Sequence, residues 1–174
     1  MQRRLYLALV LALPVCADVV DSAAQGFTVK NQAFIKVAPD KVYRVAISQV
    51  DHWWDSAHTF SGSVSNLTIE DRANGCFREK LPNDGGVRHM TVIFADPGKI
   101  LRMSGGLGPL QSLAVAATIT WTFSKTDSKT NDGSRVEWVY TVGGYVPGGL
   151  QSLAEPVDNM LKQQMARLKA FLEK

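Results

Sequence analysis

Between Asn66 and Tyr145 the chain is patterned almost throughout in period two, and only one long helical pattern follows it. That imbalance constrains the fold more than any other feature. Leu67 and Ile69 alternate with Asn66, Thr68 and Glu70. Cys76–Leu81 and Val87–Ala95 flank a hairpin loop at Pro82–Gly86, and Asp96–Lys99 turns the chain into Ile100–Ser104. Ile119, Trp121 and Phe123 share one side of Thr118–Ser124, as do Val136, Trp138, Tyr140 and Val142 within Arg135–Tyr145. With Phe27–Val37 upstream, these segments predict an antiparallel sheet of about seven strands, apolar on one face.

The helical pattern spans Gln151 to Leu172, with Leu153, Val157, Met160, Leu161, Gln164, Leu168 and Leu172 recurring at helical spacing. Pro156 lies in its first turns, where proline is tolerated. A shorter helix follows the first strand: Pro39 suits its opening turn, Val42, Val45 and Ala46 give it an apolar face, and it ends near Ser48. The expected class is α+β, a curved antiparallel sheet wrapped round one long C-terminal helix. A helix about 10 Å across cannot fill the concave side of such a sheet. Side chains such as Trp121, Trp138 and Tyr140 take part of the space, and what remains is a cavity able to hold a small molecule.

The first seventeen residues read as an export signal. Arg3 and Arg4 precede the apolar run Leu5–Leu13, and Pro14–Ala17 offers small residues for cleavage after Ala17. Acylation of Cys16 is the alternative, with Val15 before it a poor fit. Residues 18–26 are expected to be a mobile leader, and residues 27–174 one domain. Loss of the signal lowers Lys+Arg from 19 to 17 against 16 acids, and leaves Cys76 as the sole thiol. No intramolecular disulfide can then form. There is no basic stripe for nucleic acid, and no segment approaches the roughly 20 apolar residues of a membrane span. A periplasmic or secreted protein is expected.

Chemistry concentrates in one hairpin. Closed symmetrically about residues 82–86, it sets Leu81 opposite Val87, Glu79 opposite His89 and Phe77 opposite Thr91. Phe77, Leu81, Val87 and Ile93 mark the inner face, so Glu79 and His89 form a polar pair among apolar neighbours. Such a pair can stitch two strands, hydrogen-bond a ligand, or act as acid and base. The candidate ligand contacts are Trp54, Phe77, Glu79, His89, Ile93, Met103, Trp121, Trp138, Tyr140, Leu153 and Val157, with Glu79 and His89 as candidate catalytic residues. His52 and His58 flank Trp53 and Trp54 without the spacing of a metal site, so no metal or cofactor is implied. The loop Gly105–Ala114 reads as either a gate or an irregular crossover.

Three local motifs carry a resemblance. Val37–Val42 (VAPDKV) resembles the "(A)P…V(W/Y)" opening of a first helix, and His52–Trp54 (HWW) the tryptophan turn after it. Ala95–Leu101 (ADPGKIL) resembles the "PP..L" hairpin of a branch named for activators of a heat-shock chaperone ATPase. In that order, across nearly the whole chain downstream of the signal, they are similar to the helix-grip proteins of the START-like or SRPBCC superfamily. That superfamily includes polyketide cyclases, plant hormone receptors and lipid-transfer domains. The resemblance implies the helix-grip fold and leaves activity open, because fold does not fix function. Three functions follow as alternatives: a binding or transfer protein for a small apolar or amphipathic molecule; a cyclase-like or hydrolase-like enzyme using Glu79 and His89; or an envelope interaction module with a filled cavity.

Overall fold

The computed structural model describes residues 16–126 and 133–174. Residues 1–15 of the expected signal and 127–132 of the polar loop after Lys125 lie outside them. The strands are β1 (Cys16–Ala23), β2 (Gly26–Ile35), β3 (Leu67–Ile69), β4 (Cys76–Lys80), β5 (Gly86–Asp96), β6 (Ile100–Ser104), β7 (Ala114–Lys125) and β8 (Ser134–Tyr145). They form one antiparallel sheet in the order β1-β2-β8-β7-β6-β5-β4-β3. Helices α1 (Pro39–Ser48) and α2 (Val50–Trp53) follow β2, and α3 (Ala154–Leu172) closes the chain. This is the helix-grip arrangement.

The sheet has eight strands where about seven were expected. The additional one is β1, which runs from the last two residues of the expected signal through most of the segment expected to be a mobile leader. Its side chains from Asp18 to Ala23 are exposed, and the ladder shifts between Val19 and Asp21. An edge strand held by backbone pairing to β2 needs no one-sided apolar pattern, so alternation does not reveal it.

The inner face is filled at one end and hollow at the other. Trp121 and Trp138, directly opposite each other on β7 and β8, stack with ring centroids 4.7 Å apart. Trp53 covers both, at 6.1 and 5.9 Å, and its indole N–H donates to the Ala46 carbonyl. These three rings, with Tyr43 against Phe123, form a solid aromatic core between the sheet and the short helices. Helix α3 buries Ala154, Asp158, Leu161, Gln164, Met165 and Leu168. Leu153, just before it, and Val157 and Met160, toward its start, are only half-buried.

The hairpin between β4 and β5 closes more tightly than a symmetric loop. Asn83 and Asp84 both have positive φ, +57° and +60°, and the Gly85 N–H donates to the Pro82 carbonyl. That is the geometry of a type I′ turn. Glu79 therefore faces Val87 instead of His89. A shift of two residues keeps every side chain on its face, so Glu79 still points inward. A bulge then makes His89 the extra residue between the pairs Arg78–Arg88 and Phe77–Met90. Both His89 and Met90 are buried, and the inward set changes from odd to even numbers.

Candidate functional site

The bulge brings Glu79 and His89 together by a route the symmetric register did not contain. His89 Nε2 lies 3.0 Å from Glu79 Oε2, with His89 5 % exposed and Glu79 1 %. Glu79 also accepts the backbone N–H of Phe60, at 3.1 Å, and that of Ser61. One buried carboxylate thus joins β5 to the loop after α2. Burial pushes the Glu79 carboxyl up, but the hydrogen bonds from Ser61, Phe60 and His89 outweigh it and hold it below its ordinary value. Burial also dominates at His89 and lowers its pKa, although Glu79 pulls the other way. Both shifts run toward a carboxylate beside an uncharged imidazole. The Phe60 ring stacks on His89 at 5.9 Å, while Phe77 meets it at 4.9 Å.

His89 lies on the wall of a cavity of about 600 Å³. Trp54, Phe60, Phe77 and His89 supply an aromatic side; Leu153, just before α3, and Val157 and Met160 of α3 face it with Leu107, Pro109, Leu110 and Leu113 from the crossover between β6 and β7. Trp54 is edge-on to Phe77 at 5.4 Å and donates its indole N–H to the His58 carbonyl. The crossover is tied down from below: Tyr140 accepts the Leu107 N–H and donates to the Gly105 carbonyl. Burial raises the Tyr140 phenol to about 12, so it remains protonated and able to donate. Gln111 reaches from the same crossover to the Arg88 carbonyl.

Of the eleven candidate contacts, Trp54, Phe77, His89, Leu153 and Val157 line this cavity, and Glu79 stands behind His89. Ile93 does not: it is 51 % exposed on the outer side of β5. The bulge at His89 reverses the parity of the strand, and a second irregularity between Val92 and Phe94 leaves Ile93 as an extra residue. Met103, Trp121 and Trp138 are packed in the core rather than set along the wall, and Tyr140 holds the crossover from beneath. The Trp stack explains that difference, since rings that cover one another fill the space a ligand would need. Sequence reasoning missed Phe60 and Met160 as wall residues. Phe60 lies in an irregular loop with no periodicity to mark it, whereas Met160 was already on the apolar helix face.

A profile of the family described as polyketide cyclase/dehydrase and lipid transport matches residues 26–173. Among solved structures, protein Ms6760 from Mycobacterium smegmatis superposes with a TM-score of 0.60 at 16% identity, over 91% of this chain and 97% of that one. Ginseng major latex-like protein 151 from Panax ginseng gives 0.56 at 9% identity, over 86% and 99%. The di-domain ARO/CYC BexL of the BE-7585A biosynthetic pathway gives 0.55 at 17% identity, over 82% of this chain and 45% of that one. Comparison with curated proteins finds no match. These likenesses at low identity establish the fold, and the profile, spanning β2 to the end of α3, establishes descent. The chain belongs to the polyketide cyclase/dehydrase and lipid transport family of the SRPBCC superfamily.

Proposed function

We propose that this protein is an exported binding or transfer protein that holds a small apolar molecule between its sheet and its C-terminal helix. The observation that carries the reading is the cavity of about 600 Å³, walled by Trp54, Phe60, Phe77, leucines and Met160 with His89 set among them. A predominantly apolar pocket of this size with few polar groups is the usual form of a small-molecule site. An interaction module with a filled interior predicts side chains where the cavity lies. The N-terminal pattern supports export to the periplasm or medium. Cleavage after Ala17 leaves the ladder from Asp18–Lys30 to Ala23–Gly26 intact.

The second reading, a cyclase-like or hydrolase-like enzyme, is favoured by the imidazole of His89 beside a carboxylate. The family description and the ARO/CYC title of one structural neighbour point the same way. Glu79 is, however, committed to Phe60, Ser61 and His89, which suits holding the ring more than carrying protons. Native mass spectrometry of the protein purified gently from a periplasmic extract is the test. A reproducible adduct of small-molecule mass, lost on denaturation, supports the carrier. No adduct, with no melting shift across a panel of lipids and aromatic compounds, overturns it. Turnover of a bound compound that His89→Ala abolishes without weakening binding establishes the enzyme instead.

A further inference from the structure

We infer that the cavity selects an uncharged molecule carrying a hydroxyl or similar donor, which it gives to Nδ1 of His89, and that it rejects carboxylate- and phosphate-bearing lipids. This rests on the reading of the cavity as a ligand site and adds what kind of ligand it takes.

The first ground is charge. Among the described residues, no Lys, Arg, Asp or Glu lines the cavity. An anion carried into it would leave water with no cation to meet it, which is among the costliest transfers a protein can make. Among the described residues His58 is the only other titratable group on the wall, and it is exposed to solvent.

The second ground is the direction of the hydrogen bonds. Glu79 gathers two backbone N–H groups and the ring of His89 on its two oxygens, as an ionised carboxylate does. A carboxylate only accepts, so the shared proton sits on Nε2, and Nδ1 of the neutral ring carries a lone pair. Nε2 is the only ring nitrogen of His89 with a hydrogen bond among the described residues. Phe60 and Phe77 cover the ring, so a partner must arrive at Nδ1 near the ring plane.

The third ground is the state of the remaining side-chain donors. Trp54 gives its N–H to His58, Thr59 its hydroxyl to Ser56, and Ser112 its hydroxyl to Pro109, each to a backbone carbonyl. Away from His58 at the exposed margin, the wall offers the second nitrogen of the His89 ring as an acceptor, and its side-chain donors are already taken. A ligand with a donor satisfies that acceptor; an ether leaves it unmet, and a carboxylate also repels it. The bond through Glu79 extends the consequence to the loop. A donor at Nδ1 polarises the ring, strengthens Nε2–H toward Glu79, and so tightens the hold on Phe60 and Ser61.

The test uses N-phenyl-1-naphthylamine as a fluorescent reporter of the cavity, and 2-naphthol, 2-methoxynaphthalene and 2-naphthoate as competitors at pH 7.5. Val157→Trp, checked for folding by circular dichroism, fills the cavity and defines specific uptake. The expected result is that 2-naphthol competes about tenfold better than its methyl ether, and that naphthoate competes worst. In His89→Phe the alcohol and ether become equivalent. Equal competition by alcohol and ether in the wild type, or stronger competition by naphthoate, overturns the inference and leaves the cavity reading standing. Reporter uptake that Val157→Trp does not reduce overturns the cavity reading and the inference with it.

Discussion

Glu79 serves three donors from a position 1 % exposed, which makes it the most consequential single side chain near the cavity. Glu79→Gln keeps an acceptor oxygen but replaces the other with a donor facing donors. It should cost about 1–3 kcal/mol at neutral pH in urea unfolding. The pH dependence follows from the same pair. Burial holds His89 neutral, so the unfolded chain binds a proton that the folded chain refuses, and stability falls as pH drops below the ordinary value of 6.5. Glu79 has the depressed pKa of a well-bonded carboxylate; its contribution is complete above the ordinary 4.5 and is lost as pH falls through the folded value. Glu79→Gln should remove the lower step from a stability-versus-pH curve. Asp158 behaves oppositely. Burial raises its pKa against the hydrogen bond from Asn31 at 2.6 Å and the charge of Lys162, while Asp18 and Glu155 raise it further. Its folded form prefers the proton, so it costs stability as pH rises above the ordinary 3.8. Among the described residues, Asn31 Oδ1 is buried without a partner. Asp158→Asn removes the charge and supplies a donor, and the melting temperature at pH 7 should rise, by about 2–4 °C per kcal/mol gained.

Among the elements, α2 and its following turn are anchored by α3 more than by their own four residues. Arg167 donates Nε to the Trp53 carbonyl at 3.0 Å and Nη2 to the Trp54 carbonyl at 3.2 Å, and Gln164 accepts the Asp55 N–H at 2.9 Å. These are the orphan carbonyls of a short helix end, and cations satisfy them well. Arg167→Ala should destabilise the fold by about 1–2 kcal/mol and, by loosening the turn that carries Trp54, weaken uptake of the naphthylamine reporter. None of these three contacts could be read from the sequence, because each joins residues more than a hundred positions apart. What was legible followed from periodicity. The strands from β2 to β8 and both principal helices write their buried face into one-dimensional spacing. The polar pair was legible too, since a two-residue slip of the hairpin preserves sides. The bulge that finally joined the pair was not, and it misplaced Ile93. Trp121 and Trp138 were assigned to the correct face; nothing in their spacing said that they stack and exclude a ligand.

At the scale of the molecule, the eight-stranded sheet is one continuous hydrogen-bonded body, and among the described residues no helix is long and apolar enough to cross a membrane. Its two ends differ in kind. One is the solid tryptophan stack of Trp53, Trp121 and Trp138; the other is the cavity, roofed by the crossover that Tyr140 and Gln111 pin to the sheet. Amide protons should report this directly. Those of Thr120–Phe123 in β7 should exchange only with global unfolding, while those of Leu107–Leu113 should exchange orders of magnitude faster, through local opening. With that exchange pattern the aromatic end is a fixed handle and the roofed end a moving jaw. On the carrier reading proposed above, cargo can come and go many times within the lifetime of a single folded molecule, and loading should slow exchange in the jaw while leaving the handle's protons untouched.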